Sequence, residues 1–171
     1  MTDFHAQLVQ MTNQLQALDG WLEKAKLYAE SKSFDPAVLL QARLAPDMYT
    51  LSRQIQAACD GVKFLAARTA AKEPPKHPDS DTFTLDELRA RIRSVIEYTS
   101  SFTPKDFEGA DQRIVPLGFM PGKGLAAADF VREMNVPNTT FHLCMAYAIL
   151  RHNGVSLGKQ DFISKLNLRD I

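Results

Sequence analysis

Between residues 3 and 31, Phe4, Leu8, Met11, Leu15, Leu18, Leu22, Ala25 and Ala29 recur at alternating steps of four and three. Side chains at that interval fall on one side of an α-helix and on both sides of a strand, so the stretch predicts a single long helix. Gln7, Gln10, Gln14 and Lys24 occupy the other side. Gly20 lowers the helix propensity without interrupting the stripe.

The same rhythm returns three times. Asp35 before Pro36 reads as an N-cap followed by a proline at the first helical position, predicting a short helix over 36–43. Pro46 is expected to open a second long helix that runs to about residue 72, with Met48, Leu51, Ile55, Ala58, Val62, Leu65 and Thr69 on its apolar side. KEPPKHPDSD (72–81) cannot continue a helix and reads as a linker. Thr84 and Glu87 then form a capping box, with Phe83 and Leu88 placed as the hydrophobic staple around it. The third helix follows with Leu85, Leu88, Ile92, Val95, Thr99 and Phe102 on one side, and Arg89, Arg91 and Arg93 on what reads as a solvated face. Residues 103–126 are glycine- and proline-rich; within them Arg113–Leu117 fits a short strand, one arm of a hairpin. AAADFVREM fits a short helix, and Asn135 before Pro137 is expected to set up the fourth long helix, NTTFHLCMAYAILRHN, which Gly154 stops. That last helix has almost no polar face and should be buried on most sides. One more short apolar pattern, Phe162, Ile163 and Leu166, lies in the tail.

Four long amphipathic helices and little strand predict an all-α fold: a four-helix bundle forming one domain over residues 1–171, with a short hairpin or irregular segment between helices three and four. Twenty Lys+Arg balance twenty Asp+Glu, which excludes a nucleic-acid binder that relies on bulk positive charge. No stretch approaches the ~20 apolar residues of a membrane span, and MTDFHAQLVQ lacks the charged-then-apolar plan of a secretory signal. Cys59 and Cys144, both in apolar helical segments, read as free thiols of a reducing compartment. The expected location is cytoplasmic.

The motifs that carry chemistry are few. GFMPGKG (118–124) fails as a phosphate loop: three residues separate Gly118 from Gly122 where four are needed, and Gly124 stands where Ser or Thr should bind magnesium. Among the four histidines, His77 sits in the proline-rich linker, and His152 sits beside Arg151 where a cation suits the helix end. His142 is different, one turn into an otherwise apolar helix. Its plain reading is a satisfied core or interface residue. The functional reading groups it with Asn138, four residues earlier on the same face, and with Asp47 and Gln54 of helix two, seven residues apart and hence also on one face. Polar groups at the ends of facing helices are how bundles build ligand or metal sites, so these four predict one polar mouth.

LLQARLAPDMYTLSRQIQAACD, PNTTFHLCMAYAILRHNGVSLGK and the N-terminal helix resemble a bacterial family of unknown function within the DinB/YfiT-like bundles; RLAPDM and YAILRHNGV are the most specific phrases. The resemblance covers nearly the whole chain. It implies up-down-down-up connectivity and frequent dimers. Many relatives hold a divalent metal through one histidine of the second helix and an H-x-x-x-H pair on the fourth, and some are thiol-dependent transferases or isomerases. His142, twelve residues before Gly154, matches the second histidine of that pair, and Arg151 matches an arginine usual near the helix end. The chain departs from the pattern at Asn138, which stands where the first histidine would, and in helix two, which has no histidine at all.

One imidazole with an amide and a carboxylate is a weak set for zinc or nickel. If a metal binds, Asp47 and His142 are the expected ligands; otherwise His142 is the expected catalytic base, with Asp47, Gln54 and Asn138 around a small-molecule ligand. Cys144 lies about 200° from His142 around the helix and should stay outside the site. The alternative function is a non-catalytic interaction protein that lacks the metal site and works as a homodimer, with helix one or the apolar fourth helix across the two-fold axis.

Overall fold

The computed structural model describes residues 2–163 and 165–170. Helix α1 spans Phe4–Ser31, α2 Ala37–Gln41, α3 Leu51–Ala70 and α4 Leu85–Ser100. Two 3₁₀ turns, Pro104–Phe107 and Ala110–Gln112, lead to strand β1 (Ile114–Pro116), which pairs antiparallel with β2 (Gly124–Ala126). A short α5 (Ala127–Asp129) runs through a π-helical stretch, Phe130–Asn135, into α6 (Val136–His152), and α7 (Lys159–Ile163) follows. The structure is mostly helical, as the periodicity predicts, and its strand content among the described residues is this one small hairpin.

The apolar stripes decide the packing. Leu8, Leu15, Leu18 and Leu22 of α1, Leu51, Ile55, Val62 and Leu65 of α3, Leu88, Ile92 and Val95 of α4, and Leu143, Ile149 and Leu150 of α6 meet in one core. Fully burying such a side chain is worth about 1.5–3 kcal/mol. Helix α3 packs chiefly on α6 and α4, and α1 chiefly on α4. Trp21 closes the outer end of the core: its ring stacks on Phe162 of α7 (centroids 5.6 Å), meets Tyr147 edge-on, and its Nε1 donates to the Asp161 carbonyl at 3.0 Å. The tail's apolar pattern is therefore a lid on Trp21, although Leu166 beyond it stays exposed.

Local signals behave as their chemistry requires. Thr84 and Glu87 form the capping box, with Thr84 N–H donating to Glu87 Oε2 at 2.7 Å. Gly154 takes φ +96° after α6, and a Cβ there would also collide with the Tyr28 hydroxyl. Three expectations need correction. The second long helix starts at Leu51 with Thr50 as N-cap, because Pro46–Met48 close a turn (Met48 N–H to Ala45 O, 3.0 Å) instead of a helix. Asp47 therefore lies before the helix, not in its first turn, and is exposed. Asn135 is no cap: it is buried inside a continuous helical run, where the wide π turn accommodates Pro137, whose missing N–H would interrupt regular i→i−4 bonding.

The third correction concerns the arginines of α4. Only Arg93 is mostly solvated. Arg89 pairs with Asp19 (2.7 Å) and Glu23 of α1. Arg91 is buried and reaches Asp60 of α3 (2.9 Å), Asp79 of the linker (3.1 Å) and the Pro78 carbonyl (3.0 Å). The proline-rich linker is thus strapped to α3 and α4: Gln56 also donates to Ser80 O and accepts from Ser80 N–H, and His77 sits half-buried with Nε2 3.1 Å from Ser94 Oγ.

Candidate functional site

Helices α3 and α6 run antiparallel, with Gln54 facing His142 and Gly61 facing Thr139 and Asn135. Their approach is close at Gly61, where a Cβ would strike Thr139 Oγ1 and lie 3.0 Å from Thr139 Cβ. Only glycine lets the backbones come that near. On one flank of this contact lies a cavity of about 390 Å³. Its polar lining includes Arg53, Asp60, Arg68, Asn135, Asn138 and His142. Phe64, Phe130 and Met134 form apolar walls, and Tyr49 and Phe119 come from the turn before α3 and from the β1–β2 loop. The size is within the usual range for small-molecule pockets.

His142 is half-buried at the Gln54 end. Gln54 Nε2 faces the Tyr49 carbonyl, 3.5 Å away, which can only accept; its Oε1 therefore faces the imidazole, 2.7 Å from Nδ1. Nδ1 donates to that amide oxygen, so a neutral His142 keeps its lone pair on Nε2. Burial pushes the His142 pKa below its usual value, favouring that neutral form near pH 7. The Tyr49 ring lies nearly parallel to the imidazole, with centroids 6.3 Å apart, and Phe141 meets it edge-on.

Of the residues singled out in the sequence, Asn138 and His142 line the cavity, and Gln54 holds His142 from behind. Asp47 is not part of the lining; Tyr49, two residues later in the same turn, is. Cys59 is fully buried, with its thiol pushed up to about 12 by desolvation, and Cys144 also lies outside the lining. Sequence reasoning missed Arg53, Asp60, Phe64 and Arg68. Their spacing of seven, four and four residues is a second stripe on α3 beside the apolar one, and it was available to find. Asn135 carried no signal beyond its neighbour Pro137.

Charge along the cavity is unevenly paired. Asp60 meets Lys63 (2.7 Å) and Arg91, and Asp79 meets Arg53 (3.1 Å) and Arg91. Arg68 has no carboxylate partner among the described residues. Its guanidinium lies over the rings of Phe64 (4.8 Å) and Phe130 (5.5 Å), and burial alone shifts its pKa downward. A three-imidazole metal centre does not fit these residues. The Gln54 oxygen is already engaged by Nδ1, and among the described residues no group of three or more His, Cys, Asp or Glu side chains is disposed to hold an ion. No helix of the described residues is long and apolar enough to cross a membrane.

A helical fold with a polar-and-aromatic cavity between two of its long helices defines the class, and comparison with known proteins narrows it. The model of a domain of unknown function, DUF1993, matches residues 4–163, and the chain belongs to that family. The crystal structure of a DinB family member protein from Shewanella denitrificans is similar to it at 40% identity and a TM-score of 0.90, covering 96% of this chain and 93% of that one. None of the curated proteins compared with it matches at a significant level.

Proposed function

We propose that this DinB-like chain, built up-down-down-up as its family resemblance implies, binds a small molecule in the cavity between α3 and α6 and uses His142 Nε2 as its working group. The observation that carries the reading is the Gln54–His142 pair: an amide oxygen fixes the Nδ1–H tautomer, and burial favours the neutral ring. A base needs both conditions, a lone pair kept on a defined atom and a proton affinity not far from ambient pH. Asn138, one turn from His142, is the nearest amide on the same helix face to orient what binds. No step is routed through a divalent metal, because the donor set is a poor match for one. Thiol transfer, if the protein performs it, uses a thiol brought by a co-substrate, since neither cysteine lines the cavity.

The test is a thermal-shift screen over small acids, amides, low-molecular-weight thiols and divalent ions, with metal analysis of untagged protein, on wild type and His142→Ala. Stabilisation by a small organic molecule that His142→Ala weakens supports the reading. Stoichiometric zinc or nickel lost on His142→Ala replaces it with a metal centre. A screen with no response in any class removes it.

A non-catalytic homodimer is the second reading, favoured by one observation. The buried side of α6 is Thr139, Leu143, Ala146, Ile149 and Leu150, whereas Phe141 is 49% exposed and Cys144, Met145 and Ala148 stay partly open beside it. Light scattering at micromolar concentration decides it: a dimer that Phe141→Glu dissociates supports the reading, and a monomer removes it.

A further inference from the structure

Arg68 and Asn135, both in the cavity lining, have something in common. Each is a polar group without the partner its chemistry calls for. Asn135 is only 6% exposed, and its Nδ2 donates to the Gly61 carbonyl at 2.9 Å. That carbonyl fixes which end of the amide is nitrogen. The remaining atom, Oδ1, is buried with no hydrogen-bond partner among the described residues. Leaving such an acceptor unsatisfied is costly because its desolvation is not repaid, and orphaned buried polar atoms are rare in folded proteins. It lies at the end of the π-helical stretch, a local geometry that often accompanies functional sites.

Arg68 supplies the complementary half. Arg53, Asp60 and Asp79 are each matched by an opposite charge, so Arg68 is the one uncompensated charge lining the cavity among the described residues. Two phenyl rings hold its guanidinium in place, which spares a ligand the entropy of ordering it. The side chain folds back along α3 toward Phe64, as helical side chains do. Phe64 is three residues, or about 4.5 Å of helix rise, from Gly61, whose carbonyl Asn135 holds. Arg68 and Asn135 thus line the same cavity, with the carbonyl that Asn135 holds about one helical turn along α3 from the ring that Arg68 covers.

We propose that the cavity takes a small organic anion with an apolar body and a hydroxyl or amino group near its anionic end, the anion meeting Arg68 and the N–H or O–H donor meeting Asn135 Oδ1. The assignment rests on reading this cavity as a small-molecule site, and names the class of molecule. Carboxylate and phosphate are both complementary to guanidinium. Phe64, Phe130 and Met134 account for the apolar body.

The experiment is calorimetric titration of the full chain with four probes: 3-phenyllactate, 3-phenylpropionate, phenyl phosphate and 2-phenylethanol. Phenyllactate is expected to bind about tenfold more tightly than phenylpropionate, which lacks the hydroxyl, and than phenylethanol, which lacks the anion. Arg68→Met keeps the aliphatic stem and is expected to remove about that factor for both acids while leaving phenylethanol unchanged. Asn135→Ala should erase the difference between phenyllactate and phenylpropionate; the wild-type comparison of those two ligands carries the same information should that variant fail to fold. Phenyl phosphate binding above or below the acids decides which anion the site prefers. Equal binding of the acids and phenylethanol, or acids indifferent to Arg68→Met, overturns the anion assignment yet leaves the small-molecule reading standing. Failure of all four probes to bind overturns the assignment too, and the His142 screen then judges the wider reading by itself.

Discussion

Two seams of the molecule use polar residues in opposite ways. Where α4 meets α1, α3 and the linker, the arginines are saturated: Arg89 with Asp19 and Glu23, and Arg91 with Asp60, Asp79 and Pro78 O, only its Nε lacking a partner. Where α3 meets α6, Arg68 has no carboxylate, and Asn135 Oδ1 and Thr139 Oγ1 are buried without partners, among the described residues. A cation whose bonds are all made inside the chain holds helices together and has little left for a ligand. A cation and an acceptor left short beside a cavity have their bonding capacity in reserve. The same residue type is thus placed differently on the two seams, and whether the guanidinium meets a carboxylate separates them.

The comparison breaks first at Arg91. Arg91→Met takes one cation from each of Asp60 and Asp79, which keep Lys63 and Arg53, and should destabilise by about 1.5–3 kcal/mol in urea unfolding through the charged hydrogen bonds lost. A loss below about 0.5 kcal/mol, the level of an ordinary surface substitution, would make the saturated seam decorative.

Next comes the close approach. Gly61→Ala should cost about 1–3 kcal/mol by overpacking against Thr139. Gly20→Ala, with open space around its Cβ, should instead gain roughly 0.5–1 kcal/mol from helix propensity. Two glycine-to-alanine changes of opposite sign, measured by chemical denaturation, would confirm that packing and not propensity governs the α3–α6 seam.

His142 gives a pH signature. Its folded pKa is below the unfolded value, so the unfolded state takes up the proton first. Its contribution to stability is fully present above the unfolded pKa, near 6.5, and falls as pH drops through 6.5 toward the folded value. NMR titration should place the His142 midpoint below 6.5, and His142→Gln should flatten that part of the stability profile. A midpoint above 6.5 would mean that a negative charge, and not burial, dominates the ring's surroundings.

The smallest expected effect is Arg68→Met, within about 0.5 kcal/mol of wild type, because no carboxylate depends on it and the stem still covers Phe64. A large loss of stability there would move Arg68 to the structural side of the comparison.

Much of the scaffold was legible because its signals are local. A stripe at steps of three and four names a helix face within one segment, and Thr84–Glu87, the prolines of 72–81 and Gly154 mark ends by chemistry that acts over a few residues. Pro46 misled because proline is equally at home in a turn, and the cap that starts α3, Thr50, lies four residues further on. Of the site, His142, Gln54 and Asn138 were visible as polar residues out of keeping with apolar faces, while Asp47 rested on that misplaced helix start. Arg91 looked solvated because a face rich in charge reads as exposed until its partners are known.

The amino-acid sequence by itself determined which segments coil, where they stop and which sides are greasy, since those depend on neighbours within a turn or two. Tertiary packing alone decided that Gln54 would meet a ring 88 residues away, that Asp60 would serve Arg91 and leave Arg68 bare, and that Asn135 would be sealed in with one atom unmet. The physical reason is range: helix formation is governed by bonds to residues four positions apart, whereas the partner of a side chain is whatever the closing of the core brings against it.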